Sequence, residues 1–346
     1  MNLYNEDGYL NIPEIMGSAT YIFMVLARGT GKTFGALKYA VDSGEKFIYM
    51  RRTQTQADMI RSDEMSPFVS LNRELGDDYL FRLKPVAKNV TGVYRKKMDG
   101  ENEILTLTGY IMALSTISNV RGFDTSDCSL LIYDEFIGEK HEKPIRNEGM
   151  AFMNALETIG RNRELEGHLP LKVLCMANSN DLASPLFIEL GLVRHAERML
   201  RKGIETMKIP ERDIMLIIAK HSPISSKKAQ TSLYRMAGDS AFTQMALENS
   251  FSLEFTEMVK SVSLREYRPL VQVGEICIYQ HKSKLLYYVT DHISGSPDRY
   301  GSSEIDVRRF ANNYFYLRLS YFNRHIYFES FILQVLFERY FKLSIV

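Results

Sequence analysis

Short apolar runs punctuate the first 200 positions, and stretches with helical spacing separate them. Tyr21 to Leu26, Lys46 to Arg52, Leu130 to Tyr133 and Leu171 to Ala177 are apolar with little alternation. That pattern predicts strands covered on both faces, as in a parallel sheet. Helices are predicted over 32–42, 53–61, 67–75 and 149–160. Alternation of the two signals points to a parallel sheet with crossover helices, an α/β fold. Residues 81 to 117 change character. Segments 81–84, 90–97 and 104–114 alternate like antiparallel strands, and Asp99-Gly100 is a hairpin turn. From about 200 to 250 the chain reads as helical and basic. It contains Ser225-Ser226-Lys227-Lys228, which suits a linker or lid. Strands return at 261–264, 275–281 and 285–290, with a turn at Lys282-Ser283-Lys284. Two helices follow, near 305–310 and 328–341. The expected division is an α/β domain over 1–200, a helical linker over 201–250 and a small α+β domain over 251–346.

With 346 residues and 45% hydrophobic content, the chain can build two full cores. Its net charge of +1 gives no global basic field for nucleic acid. Acids slightly outnumber bases up to residue 200, and the reverse holds afterwards. The second half could therefore meet an anionic partner, although a solvated surface has the same composition. Cys128, Cys175 and Cys277 lack C-x-x-C spacing, which argues against a cysteine-based zinc site or a disulfide scaffold. Cys128 and Cys175 read as packing residues. The polar start, Asn2 to Glu14, is no signal peptide, and no run is long enough to span a bilayer. The expectation is a soluble, cytoplasmic protein.

The strand at Tyr21 to Leu26 runs into Ala27-Arg28-Gly29-Thr30-Gly31-Lys32-Thr33, and a helix-compatible stretch follows. Strand, Gly-Lys-Thr loop and helix form the context of a phosphate-binding P-loop. The glycines let backbone N–H groups curl around phosphate, and the helix N-terminus adds partial positive charge. Lys32 would reach the β- and γ-phosphates of ATP, and Thr33 would offer its hydroxyl to Mg²⁺. The first Gly of the usual pattern is replaced by Leu26. About a hundred residues on, the strand Leu130 to Tyr133 delivers Asp134 and Glu135 to its C-terminal end, where open α/β sheets bind ligands. Asp134 would hold the Mg²⁺ shell. Glu135 would polarise the attacking water. A solvated acidic turn after a strand is the alternative.

These residues resemble the DNA-packaging ATPases of small phi29-like podophages. The resemblance rests on Ala27 to Thr33, on Phe47-Ile48-Tyr49-Met50-Arg51-Arg52, and on Tyr133 to Ile137 with Glu139 and Lys140. Arg161-Asn162-Arg163-Glu164 and Leu174-Cys175-Met176-Ala177-Asn178 complete it, in the right order over about 20–185. It implies an ASCE P-loop ATPase domain related to the FtsK/HerA translocases. It also implies a linker and a C-terminal domain with an RNase H-like fold that has lost nuclease activity. The implied machine is a homo-oligomeric ring, a pentamer, that docks on the portal of a prohead in the host cytoplasm. It would drive double-stranded DNA inside, with a packaging RNA as a further partner.

Other positions have two readings. The resemblance assigns Arg161 as a finger inserted into the neighbouring subunit's site; Arg161 and Arg163 would otherwise be helix-terminal cations. Asn178 would sense the γ-phosphate or close the strand in an Asx turn. Arg28 and Arg121 would contact nucleotide or the adjacent subunit, or lie on the surface. The segment 81–98 carries Arg82, Lys84, Lys88, Arg95, Lys96 and Lys97 without an acid. It would track DNA phosphates or protect a sheet edge. The family's pore-facing basic position falls on Gln54. Tyr314 to Phe341, rich in Tyr, Phe and Arg, suits RNA, a protein interface or a core.

The function expected is an ATP-driven translocase of double-stranded DNA in viral genome packaging. Lys32, Glu135 and Arg161 would do the chemistry, Thr33 and Asp134 would hold the metal, and Arg28 to Thr33 with Asn178 would bind nucleotide. One rival is a terminase-type motor with an active C-terminal nuclease. The other is a scaffold that nucleotide only switches. Asp291 is the best single candidate for a nuclease acid. Glu266, Glu275, Asp298, Glu304 and Asp306 show no spacing that pairs two carboxylates on one strand face, so a binding domain is expected.

Overall fold

The computed structural model describes residues 1–77, 80–120, 122–138, 142, 145–178, 182, 184–219, 222–238, 240, 243 and 258–341. Two compact units divide the chain, Met1–Phe251 and Ser252–Val346.

The first unit opens with α1 (Ile12–Met16), β1 (Tyr21–Leu26), α2 (Lys32–Ser43) and β2 (Phe47–Arg51). Short helices α3 (Gln54–Met59) and α4 (Phe68–Glu74) follow. Next come strands β3 (Phe81–Ala87), β4 (Val90–Asp99) and β5 (Asn102–Ala113). Then follow β6 (Leu130–Asp134), α5 (Glu148–Gly160), β7 (Lys172–Ala177), α6 (Pro185–Glu189) and α7 (Val193–Lys202). β8 (Thr206–Ile209), β9 (Ile214–Ala219), α8 (Pro223–Ala229) and α9 (Ser232–Ala237) complete it.

Nine strands form one sheet in the order β3-β4-β5-β2-β6-β7-β1-β9-β8. From β5 to β9 the neighbours are parallel; β3, β4 and β8 add antiparallel edges. Successive side chains of a strand face opposite sides, so each central strand feeds two cores. On β1, Ile22, Met24 and Leu26 join Ala36, Leu37 and Ala40 of α2 in one core. Phe23 points the other way, edge-on to Phe136 and Phe187 at 6.2 and 6.0 Å. Phe152 of α5 stacks on Tyr133 on that second side. Truncating Phe23 or Phe152 would cost about 3–5 kcal/mol. Helices on both faces explain why the strands read as continuous apolar runs.

β7 lies between β1 and β6, so a strand separates the phosphate-loop strand from the acid-bearing strand. That interposed strand is the mark of the ASCE arrangement. The expected antiparallel segment of 81–114 is present, with its tight turn at Gly100. The helical stretch expected from about 200 is not entirely helical. Ile214–Ala219 is fully buried and pairs with β1. A six-residue apolar run has no periodicity to tell a buried strand from a buried helix. The nucleotide unit therefore extends past residue 200, and α8 and α9 are the helices of the remainder.

The second unit contains β10 (Tyr267–Val273), β11 (Ile276–His281), β12 (Tyr287–Thr290) and β13 (Asp298–Tyr300). Helices α10 (Glu304–Asn313) and α11 (Phe315–Phe322), strand β14 (Ile326–Phe328) and helix α12 (Phe331–Tyr340) follow. The sheet order is β13-β10-β11-β12-β14. β10, β11 and β12 form an antiparallel meander, and β13 and β14 flank it in parallel. β13 lies at one edge beside β10, and β14 lies at the other beside β12. The expected strand at 261–264 is absent. The strand begins at Tyr267, and Pro269 sits where the register shifts, as strand prolines require.

Candidate active site

The phosphate loop joins β1 to α2. Gly29 and Gly31 take φ of 75° and 82°, the left-handed region that glycine enters without strain. Leu26 is not among the residues with positive φ. The loop bends at Gly29 and Gly31, so the missing first glycine costs it nothing. Lys32, buried at the start of α2, donates to Ala27 O at 2.7 Å and Leu26 O at 3.2 Å. Burial lowers the Lys32 ammonium to about 7, and Asp134 opposes that shift.

Asp134 ends β6 and is the hub of the opposite wall. Thr33 Oγ1 and Tyr49 OH each donate to its Oδ2 at 2.7 Å. Burial pushes the Tyr49 phenol well above its usual range. Arg51 Nη1 approaches the same oxygen at 3.5 Å, and Arg51 Nη2 pairs with Glu135. Glu135 has φ of 56°, a conformation that costs a side-chain-bearing residue about 1–3 kcal/mol. The turn it makes brings Phe136 N to Met176 O of β7 at 3.2 Å.

Asn178 follows β7 and is half-buried. The pairing Val25↔Ala177 places it level with Leu26, between the loop and the acids. Lys32, Thr33, Asp134, Glu135 and Asn178 thus meet at one edge of the sheet. Arg28 is exposed on the loop.

Arg161 is not with them. It caps the C-terminal end of α5 with φ of 44°. Its guanidinium donates to Phe123 O at 3.0 Å and Asp124 Oδ1 at 3.3 Å, before β6 begins. The acids stand at the other end of β6. Arg163 is spent on carbonyls: Ser126 O at 2.6 Å, Cys128 O at 3.0 Å and Leu169 O at 3.2 Å.

Sequence reasoning missed Tyr49 and Arg51 as site residues. β2 and β6 pair in register at Met50↔Tyr133. One further step along both strands sets Arg51 beside Asp134, which needs the strand order to foresee. Arg52, the next residue, faces away. It clamps Glu148 of α5 at 2.6 and 2.8 Å and Glu142 at 2.9 Å.

The basic hairpin is partly neutralised from outside. Arg82 pairs with Asp63 at 2.7 Å and Lys96 with Asp77 at 2.8 Å, whereas Lys84, Lys88, Arg95 and Lys97 are exposed. Gln54 is engaged by Asp58 and Thr116, both at 2.6 Å. In the second unit Phe310, Tyr314, Tyr321, Phe328, Phe337 and Phe341 interlock as an aromatic core. Phe315, Leu319 and Phe322 of α11 are exposed. Asp298 accepts from Tyr314 OH at 2.6 Å, and Asp291 is exposed. Among the described residues no three His, Cys, Asp or Glu side chains gather as a metal site. The nuclease alternative gains no support. All three cysteines are buried and free. Among the described residues no helix is long and apolar enough to cross a membrane. Arg121, Glu139 and Lys140 lie outside the described residues.

The interposed strand, the glycine loop and the paired acids at one sheet edge define an ASCE-type P-loop domain. The sequence matches the podovirus DNA encapsidation protein (Gp16) family over residues 3–267. The chain belongs to that family. Among proteins of curated function, none matches significantly. In fold the chain is similar to the bacteriophage Phi-29 viral genome packaging motor assembly. The TM-score is 0.67 at 18% identity, covering 97% of this chain and 99% of that one. It is also similar to the Phi-28 gp11 DNA packaging motor. There the TM-score is 0.60 at 18% identity, covering 98% and 97%.

Proposed function

We propose that this protein is the ATP-hydrolysing motor that drives viral double-stranded DNA into a prohead. One observation carries the reading: in a chain of the encapsidation family, Thr33 and Asp134 meet at 2.7 Å beside a glycine loop that buries Lys32. The residues fit a magnesium nucleotide. Gly29 and Gly31 open the loop's backbone N–H groups to phosphate. The Thr33 hydroxyl and Asp134 carboxylate are the hard oxygen donors that Mg²⁺ prefers. Arg51 Nε is buried without a protein acceptor and has a donor to spare. Bound with the nucleotide, Mg²⁺ supplies charge neutralisation for the triphosphate.

In this reading Lys32 holds the β- and γ-phosphates, and Asn178 orients groups at the γ-phosphate. Glu135 takes the proton from the attacking water. It must first leave Arg51, so turnover waits on opening that ion pair. Arg161 cannot serve its own site, because β6 separates them; it would complete the site of the next subunit in a ring. Ring assembly (five subunits), docking on the portal, transient residence in the host cytoplasm and contact with a packaging RNA belong to the same proposal. DNA phosphates would meet the exposed Lys84, Lys88, Arg95 and Lys97. Purified protein should hydrolyse ATP faster with double-stranded DNA and should fill proheads in a packaging assay. ATP binding without hydrolysis, in the presence of DNA and proheads, would favour the switch scaffold instead.

A further inference from the structure

Three cations gather on the phosphate loop, and one comes from far along the chain. Lys228 lies on α8, and its Nζ donates to Arg28 O at 2.8 Å. It stands directly over Gly29: a Cβ built on that glycine would lie 2.1 Å from the Lys228 nitrogen. A side chain at position 29 would enter the space that the ammonium now fills.

Contacts that do not involve Lys228 hold α8 in this place. The Ser222 side chain caps the helix by accepting from Ile224 N at 3.3 Å. Lys227 Nζ donates to Asp7 O at 3.2 Å. Pro223 sits so close to Gly8 that a Cβ there would be 3.0 Å from its ring carbon. The same N-terminal segment grips the loop, since Leu10 N donates to Thr30 O at 3.1 Å. Lys228 is therefore presented to the loop by a braced helix rather than draped across a surface.

The charges also need an explanation. Arg28 and Lys228 both push the Lys32 ammonium down, and burial together with Arg28 pushes down Lys228. Asp134 and Glu135 offset this at Lys32, whereas Lys228 has a neutral carbonyl as acceptor. Mutually repelling cations around one glycine loop suit a polyanion.

We propose that Lys228 is a nucleotide-binding residue, a second lysine from the same subunit that contacts the phosphates of bound ATP and brings α8 over them. The inference rests on the nucleotide-site reading above. The ammonium would exchange the Arg28 carbonyl for a charged phosphate oxygen, a stronger acceptor.

Calorimetric titration of the full chain with ATP and Mg²⁺ tests this. Lys228→Ala should weaken binding about tenfold, the value of one charge-assisted hydrogen bond. Lys228→Arg should recover most of the loss, and Lys202→Ala, which removes an exposed lysine of α7, should bind as wild type. Tripolyphosphate should show the same ranking, because the contact is with phosphate. Lys228→Met, which keeps the aliphatic stem, should repeat the loss if the alanine variant melts early. Unchanged ATP affinity in Lys228→Ala or Lys228→Met, beside normal wild-type binding, overturns the inference alone. A loss for ATP with none for tripolyphosphate also overturns it, by moving the contact to the nucleoside. A wild type that binds no ATP sinks the nucleotide-site reading itself.

Discussion

At the C-terminal edge of the large sheet, polar groups converge; at its N-terminal edge, they disperse. The first edge joins Thr33, Tyr49, Arg51, Asp134 and Glu135 in one bonded network, with Lys32 held on the loop's carbonyls beside it. The second has Arg163 locked on three carbonyls, with Arg161 exposed beside it and tied to an exposed aspartate. Helix α5 spans the gap with 13 residues, about 20 Å. At the first edge the polar side chains bond to one another within the subunit. The other holds an exposed guanidinium on one carbonyl and one exposed carboxylate. Two nearby arginines, 161 and 163, thus differ in surroundings: Arg163 holds three carbonyls, and Arg161 holds one carbonyl and an exposed aspartate.

The sharpest way to break this comparison is to disable each edge separately. Arg161→Ala should cut ATPase in a homogeneous ring by about 10³-fold or more. Mixed with Glu135→Gln subunits it should regain part of the rate, since some interfaces then hold one intact edge from each. Normally assembled mixed rings that stay dead would reduce Arg161 to a loop anchor. Glu135→Gln alone should lower turnover by about 10²- to 10⁴-fold, with ATP affinity retained. Steady-state ATPase and nucleotide titration report the two quantities, and hydrolysis at the wild-type rate would dismiss Glu135 as the base. Lys32→Ala should weaken ATP binding by about ten- to a hundredfold, because a charged partner of the phosphates is lost. Unaltered affinity would mean that the loop's N–H groups suffice. The smallest effect is expected at the second edge. Arg163→Ala should cost about 0.5–1.5 kcal/mol of stability, the net value of a hydrogen bond where water can replace it. Arg161→Ala should leave the melting curve nearly unmoved, as exposed ion pairs contribute little. Equal melting shifts for the two would erase the distinction drawn here.

The parts legible in the sequence are those encoded locally. Ala27 to Thr33 and Leu130 to Glu135 each carry strand, turn and chemistry within a few residues, so their positions follow without the fold. The Arg51–Glu135 pair depends on β2 lying next to β6 in register, which no local pattern states. Lys228 needs even more: a helix some two hundred residues downstream has to return over Gly29. The strand at 214–219 was hidden because a short apolar run suits either structure. The strand at 267–273 was hidden by Pro269. The C-terminal aromatics read ambiguously because they do two things: most fill a core, while Phe315 and Phe322 face solvent.

The place of β1 in the sheet also sets an order of assembly. β1 is complete once residue 26 leaves the ribosome, yet its two neighbours span 172–177 and 214–219. Parallel pairing over such sequence distances is slow, since loop closure has to precede any reward. The nascent chain therefore carries an apolar strand with both edges bare until residue 177 is made and one edge bare until residue 219, the state most open to wrong pairing. A chain stopped at residue 200 would escape it only in part. β1 would pair with β7 on one side and keep an open apolar edge on the other, and the phosphate loop would hang from a half-built strand pair. Residues 214–219 decide when the strand that carries the phosphate loop is paired on both edges.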